Sequence, residues 1–109
     1  MKIEKKHDSK VCGTYHIAIE IIGKRWTGAI IFVLCYGSKR FSEIIDAIPD
    51  VSSRLLTERL KELEDYGILK REVSTDRPIQ VSYSLTEKGL ALKPILESIG
   101  KWAHDWNND

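Results

Sequence analysis

The stretch that decides the fold runs from Phe41 to Leu69 and reads FSEIIDAIPDVSSRLLTERLKELEDYGIL. Its first part, Phe41 to Ile48, predicts a short amphipathic helix that ends before Pro49. A longer helix is predicted from the N-cap residue Ser52 to Tyr66, because its leucines recur at helical spacing. A short helix, a three-residue turn and a longer helix form a helix-turn-helix.

Two further helices are predicted on the N-terminal side of this motif. Thr14 to Ile22 has an apolar pattern that fits a largely buried helix, and Gly23 ends it. Trp26 to Tyr36 is apolar on nearly all sides, which is typical of a helix inside a core. Its β-branched residues leave a buried strand as the alternative, but its length and the flanking Gly37 favour a helix.

Two strands and a last helix are predicted after the motif. Ile68 to Ser74 and Gln80 to Leu85 alternate between apolar and polar residues, and the short turn between them predicts a hairpin. In the second strand the residues expected to face inward are Val81, Tyr83 and Leu85, and those expected outward are Gln80, Ser82 and Ser84. Thr86 is the expected cap of the last helix, which Pro94 kinks or restarts.

This order of elements defines the predicted fold class. A hairpin directly after a helix-turn-helix is a wing, so the chain is expected to be a mainly α, α+β winged helix-turn-helix. The expected architecture is a three-helix core plus a two-stranded wing. Residues 1–11 are predicted to be a flexible polar arm, and residues 12–109 a single domain.

Composition excludes several classes of protein. The 109-residue chain has a net charge of +1, and no apolar run approaches the roughly 18 residues that span a bilayer. No signal peptide is recognisable, so we expect a cytoplasmic protein. Two cysteines are too few for a disulfide scaffold, and the scattered histidines offer no metal-ligand set. No cofactor motif and no nucleophile–base pair indicates an enzyme.

The helix that begins at Ser52 is the predicted DNA-reading element. In a helix-turn-helix the second helix lies in the major groove and contacts base edges near its N-terminus. The leucine stripe must face the core, which leaves the other side of the helix for DNA. The candidate contacts near the helix start are Ser52, Ser53, Arg54, Thr57, Glu58 and Lys61.

Each candidate has a distinct chemistry. Arg54 can bind phosphate or a guanine edge, whereas Lys61 one turn later suits a phosphate. Glu58 can accept from a cytosine amino group or orient a neighbouring cation through a helical pair. Outside the helix, Arg77 at the predicted wing tip can enter a minor groove, and Lys39 and Arg40 can hold the DNA backbone. The plain alternative for all of them is a solvated surface.

Six strings in the sequence carry a family resemblance. They are GKRW (23–26), KRFSEI (39–44), IPDVS (48–52), LTERLKELEDYGIL (56–69), YSLTEKG (83–89) and the terminal Trp102. In this order the chain resembles the HxlR-type regulators, winged-helix relatives of the MarR family. The resemblance implies a homodimer on a pseudo-palindromic operator of double-stranded DNA, with half-sites roughly 34 Å apart. It also implies a dimer interface built by the terminal helices, which the apolar stripe suits independently: Ile95, Ile99, Trp102 and Trp106.

Cys12 stands fourteen residues before Trp26, which looks like the YodB-type sensors of quinones and other electrophiles within this family. The chain departs from that pattern by having Gly13 where proline is usual, and by lacking a C-terminal cysteine for an intersubunit disulfide. A helix N-terminus stabilises a thiolate, which adds readily to a quinone. The alternative is that Cys12 is a small packed residue, as we expect for Cys35 in the central apolar helix.

These observations leave three hypotheses. The first is a repressor that leaves its operator when a quinone, another electrophile or an oxidant modifies Cys12. The second is the same DNA-binding fold responding to a non-covalent ligand or to none. The third is a winged-helix domain used for protein interaction, against which stands the basic, hydroxyl-rich start of the helix after Ser52.

Overall fold

The computed structural model describes residues 12–107, so the predicted arm at residues 1–11 lies outside the described part. The described helices are α1 (Gly13–Ile22), α2 (Thr27–Leu34), α3 (Phe41–Ala47), α4 (Ser53–Asp65), α5 (Glu87–Leu90) and α6 (Lys93–Trp106). The strands are β1 (Lys39–Arg40), β2 (Leu69–Val73) and β3 (Val81–Leu85). This order confirms the winged helix-turn-helix that the sequence predicts.

The core forms where α2, α3 and α4 meet the root of the wing. The leucine stripe of α4 is buried at Leu56, Leu60 and Leu63, as its spacing predicts. It packs with other fully or nearly buried residues: Ile30, Ile31, Leu34, Ile44, Ile48, Val51, Ile68, Leu69 and Leu85. Because one face of α4 is fixed in this way, its opposite face is available for contacts outside the chain.

The sheet differs from the predicted two-stranded wing. It has three antiparallel strands in the order β1–β3–β2, with Lys39 opposite Tyr83 and Arg40 opposite Ser82. The predicted two-stranded wing is present as β2 and β3, and β1 is an additional strand that the sequence does not predict, because two residues are too few to display a period-2 pattern. Its pairing with β3 depends on the tertiary arrangement, which brings the start of α3 beside the wing.

The predicted alternation of β3 is blurred in the structure. Val81, Ser82, Tyr83 and Ser84 are all half-buried, whereas the sequence predicts the two serines to face solvent. These serines are less exposed than expected because β3 is the central strand of the sheet and is flanked by β1 and β2. The Ser84 hydroxyl is buried without a hydrogen-bond partner among the described residues.

The first helix is more exposed than its sequence predicts. No residue of α1 is buried in the single chain, and Ile17 and Ile19 are half-exposed. The outer face of α2 is exposed too, where Phe32 and Tyr36 pack edge to face with ring centroids 5.4 Å apart. The prediction of burial on all sides is therefore wrong, because residues 12–107 supply no element that covers these faces.

The connection from the wing to the last helix is tightly built. Thr86 caps α5 as predicted, since its hydroxyl accepts a hydrogen bond from the Gly89 N–H at 3.1 Å. Gly89 itself packs against the backbone of the β2 root, where a Cβ would lie 2.1 Å from the Ile68 carbonyl oxygen. Pro94 marks a restart rather than a kink, because it occupies the first turn of the separate helix α6.

Candidate DNA-binding interface and sensor thiol

The start of α4 presents a polar face away from the core. The Ser52 hydroxyl caps the helix by accepting a hydrogen bond from the Leu55 N–H at 3.0 Å, which confirms the predicted N-cap. Arg54 is the most prominent side chain of this face, with 88% of its surface exposed. Ser53, Thr57, Glu58 and Lys61 are exposed on the same helix, so the structure brings the predicted contacts of α4 together.

Local pairs hold several of these side chains. Arg54 Nε lies 3.6 Å from Glu58 Oε2, and Lys61 Nζ lies 3.1 Å from Asp65 Oδ1. Of the two roles open to Glu58, the pair with Arg54 is therefore formed in the structure. Thr57 donates its hydroxyl proton to the Ser53 carbonyl at 2.8 Å. Exposed helical pairs contribute only about 0.3–0.5 kcal/mol, so phosphate or base groups could replace them.

Lys39 and Arg40 occupy β1, beside the first turn of α3. The Glu43 carboxylate accepts a hydrogen bond from the Arg40 backbone N–H at 2.8 Å, and this bond holds the pKa of Glu43 below its ordinary value. Both basic side chains belong to the strand that pairs with the wing. Arg77 is exposed in the connection between β2 and β3, as is Ile79 two residues later, which is 70% exposed.

Arg59 is a functional candidate that the sequence analysis does not single out. Its side chain is only 12% exposed, and its Nε donates a hydrogen bond to the Arg25 carbonyl at 3.0 Å. Its guanidinium also approaches Glu62, whose carboxylate pairs with Lys24 at 2.9 Å. The only feature of the sequence that could have indicated Arg59 is its position. It follows the buried Leu56 by three residues and therefore lies at the border of the leucine stripe.

The two cysteines occupy different environments. Cys12 is the N-cap residue of α1, half-buried, and its carbonyl accepts a hydrogen bond from the His16 N–H at 2.9 Å. Gly13, which stands where the family usually has proline, is the first helical residue, and its Cα faces open space. Cys35 caps the C-terminal end of α2, and burial raises the pKa of its thiol.

The apolar stripe of α6 is uncovered in the single chain. No residue of this helix is buried, although Leu96 packs partly against the core. Trp102 and Trp106 are 65% and 76% exposed. The stripe that the sequence predicts as a dimer interface is therefore an exposed face: Ile95, Ile99, Trp102 and Trp106. Across residues 12–107, no helix has the length and apolar character needed to cross a membrane.

The fold and the polar face of α4 define a DNA-binding regulator of the winged-helix class. Residues 21–109 match the HxlR-like helix-turn-helix family. The chain is 50% identical over 100 residues to the uncharacterized HTH-type transcriptional regulator YvaP of Bacillus subtilis, covering 92% of this chain and 93% of YvaP. This protein belongs to the HxlR family of transcriptional regulators.

Two solved structures that are similar to this chain are forms of one regulator, YodB. The reduced form of YodB from B. subtilis superposes with a TM-score of 0.82 at 43% identity, covering 91% of this chain and 97% of YodB. Quinone-bound YodB superposes with a TM-score of 0.77 at 44% identity, covering 88% of this chain and the whole of YodB. The fold match therefore includes one relative, YodB, in both its reduced and its quinone-bound form.

Proposed function

We propose that this regulator is a homodimeric repressor that binds a pseudo-palindromic operator and is released when Cys12 is modified by a quinone or another electrophile. The single observation that carries the proposal is the position of Cys12 at the N-cap of α1. Backbone N–H groups of a first helical turn are directed toward an N-cap residue and stabilise a thiolate there. The quinone-bound form of the similar YodB supports the choice of electrophile.

The proposed chemistry is a conjugate addition. The Cys12 sulfur loses its proton and forms a bond to a ring carbon of the quinone, while the electron pair of the ring double bond moves onto a carbonyl oxygen. That oxygen takes up the thiol proton, and the hydrogen on the attacked ring carbon then moves as a proton to the other carbonyl oxygen, so the ring becomes an aromatic hydroquinone thioether. Nothing leaves and no external oxidant is needed. The adduct at the start of α1 would favour a conformation with lower DNA affinity, which is a population shift.

The decisive experiment compares wild type and Cys12→Ser on DNA from upstream of the protein's own gene. Reduced wild type should bind, benzoquinone should release it, and the serine variant should stay bound, because a hydroxyl at this position is a far weaker nucleophile. Intact-mass spectrometry should show one quinone added to wild type. Cys35→Ser is the matched control and should respond like wild type. Release of Cys12→Ser by quinone would contradict the proposal.

Arg54 is proposed to make the main base or phosphate contact of α4. Replacing Arg54 with alanine should weaken operator binding by about 1–3 kcal/mol and relax the preference for operator over unrelated DNA. Lys61→Ala, which removes a proposed phosphate contact, should weaken both DNAs alike and reduce the salt dependence. Fluorescence anisotropy at several salt concentrations measures both effects. Unchanged affinity in both variants would place the DNA-binding face elsewhere.

A groove favours a non-covalent ligand as the second candidate signal. It has a volume of about 650 Å³ and lies between α1 and α4, lined partly by the apolar side chains of Ile21, Leu63 and Tyr66. This volume lies in the range that small molecules occupy in proteins. The Cys12→Ser variant separates the two signals, because only a ligand held in the groove would still release it.

A further inference from the structure

A polar network ties α4 to the turn between α1 and α2. Lys24 Nζ in the turn lies 2.9 Å from Glu62 Oε2 in α4. Arg59 Nε donates to the Arg25 carbonyl at 3.0 Å, and its Nη1 lies 3.4 Å from the same Glu62 oxygen. The network therefore joins two distant segments of the chain: Arg59 and Arg25 are 34 residues apart, and Glu62 and Lys24 are 38 residues apart.

Arg59 is more buried than the charged groups of an ordinary surface ion pair. The Arg59 side chain is 12% exposed and meets a backbone carbonyl and a carboxylate at once. Its partner segment is itself constrained, because Trp26 has a left-handed backbone with φ of 78° and the Arg25 guanidinium stacks 4.6 Å from its ring centre. Half-buried charged contacts of this kind are directional and hold a fixed geometry.

The leucine stripe and the network constrain α4 in different ways. The buried leucines fix which face of α4 meets the core, but apolar packing is non-directional, so it tolerates small rotations of the helix about its axis. Hydrogen bonds to a backbone carbonyl narrow that rotation further, because they need both a distance and an angle. The rotation decides where the exposed Arg54 points, because Arg54, Arg59 and Glu62 belong to the same helix.

We propose that Arg59 and Glu62 are positioning residues that set the orientation of α4 toward DNA through their bonds to the α1–α2 turn. The inference rests on the proposed DNA binding by α4. It also deepens the proposed regulation, because α1 leads directly from Cys12 to this turn. A displacement of α1 would reach the DNA-binding face through the Lys24–Glu62 pair and the bond from Arg59 to the turn.

Glu62→Gln tests the proposal by the sign of its effect. Removing a negative charge near a polyanion should tighten DNA binding if only electrostatics matters. If Glu62 positions α4, operator affinity should instead fall about threefold to tenfold, a typical size for coupled contacts. Binding to unrelated DNA should stay the same or tighten, so the ratio of specific to non-specific affinity falls. A purely structural loss would lower both affinities together.

Glu64→Gln is the matched control, because it removes the same charge from an exposed position of α4. It should leave the affinity ratio at the wild-type value. Lys24→Met breaks the network from the other side and should lower the ratio too. Its log K against log salt should keep the wild-type slope, whereas loss of a phosphate contact would reduce the slope by about one. Thermal unfolding checks that each variant is folded.

The outcomes separate the two proposals. If wild type binds no DNA with operator preference, the proposed function fails, and the positioning role fails with it. If wild type prefers operator and Glu62→Gln behaves like Glu64→Gln, the positioning role alone is overturned. If Glu62→Gln loses operator preference and quinone then causes a smaller fold-change in its affinity than in that of wild type, positioning and coupling to Cys12 are both supported. A full quinone response in that variant would overturn the coupling.

Discussion

Gly89→Ala is expected to destabilise the folded protein by about 3 kcal/mol or more, the upper range for overpacking a close contact. A Cβ at this position would lie 2.1 Å from the Ile68 carbonyl oxygen and 3.1 Å from a methyl carbon of Leu85. The carbonyl cannot move away cheaply, because it accepts a hydrogen bond from the Thr86 N–H at 3.0 Å and lies 3.0 Å from the Thr86 hydroxyl, whose single proton it shares with the Gly67 carbonyl. Relief of the clash would therefore cost hydrogen bonds at the root of the wing.

Thermal unfolding measures this effect as a fall in the midpoint of roughly 10–20 °C for a domain of this size. Gly100→Ala is the control, because a Cβ there meets nothing within 4 Å in the middle of α6. That variant should gain up to about 1 kcal/mol from helix propensity. A wild-type midpoint for Gly89→Ala would show that α5 does not pack against Ile68 as closely as described.

Ile99→Asp is expected to convert the proposed dimer into a monomer. Ile99 is 51% exposed in the single chain and lies in the apolar stripe of α6. A carboxylate buried at an apolar interface without a partner costs several kcal/mol, so the dissociation constant should rise by at least about a hundredfold. Sedimentation should then give the monomer mass at concentrations where wild type gives twice that mass.

Ile79→Asp provides the matched control for this change. Ile79 is 70% exposed in the connection of the wing, so the same substitution adds the same charge away from the stripe. It should leave the sedimenting mass unchanged. The proposed interface is wrong if Ile99→Asp still sediments as a dimer. Circular dichroism should give wild-type helix content for both variants, because neither side chain is part of the buried core.

The elements with strong local patterns could be predicted from the sequence. The leucine spacing and the serine cap are sufficient to predict α4, because both depend on contacts within one helix or on one buried face. The threonine cap at Thr86 is local in the same sense. The exposed side chains at the start of α4 follow from the leucine stripe by elimination.

Features that depend on distant contacts could not be predicted. β1 exists because Lys39 and Arg40 meet β3, more than forty residues later in the chain. The hydrogen bond of Arg59 could not be predicted, because its acceptor is the backbone carbonyl of Arg25, and every residue has such a carbonyl. The exposure of Ile17 and Ile19 was hidden for a related reason, because an apolar helix face has the same sequence pattern whether its own chain or another chain covers it.

The pairing of β1 with β3 has a consequence for the DNA sequences that the protein can recognise. β1 leads directly into α3, and β3 forms the wing, so the helix-turn-helix and the wing are joined at both ends of the motif. The distance between the proposed base contacts of α4 and the proposed groove contact of Arg77 is then constant. An operator half-site with one base pair inserted between these two contacts should be bound as poorly as one in which the wing contact is missing.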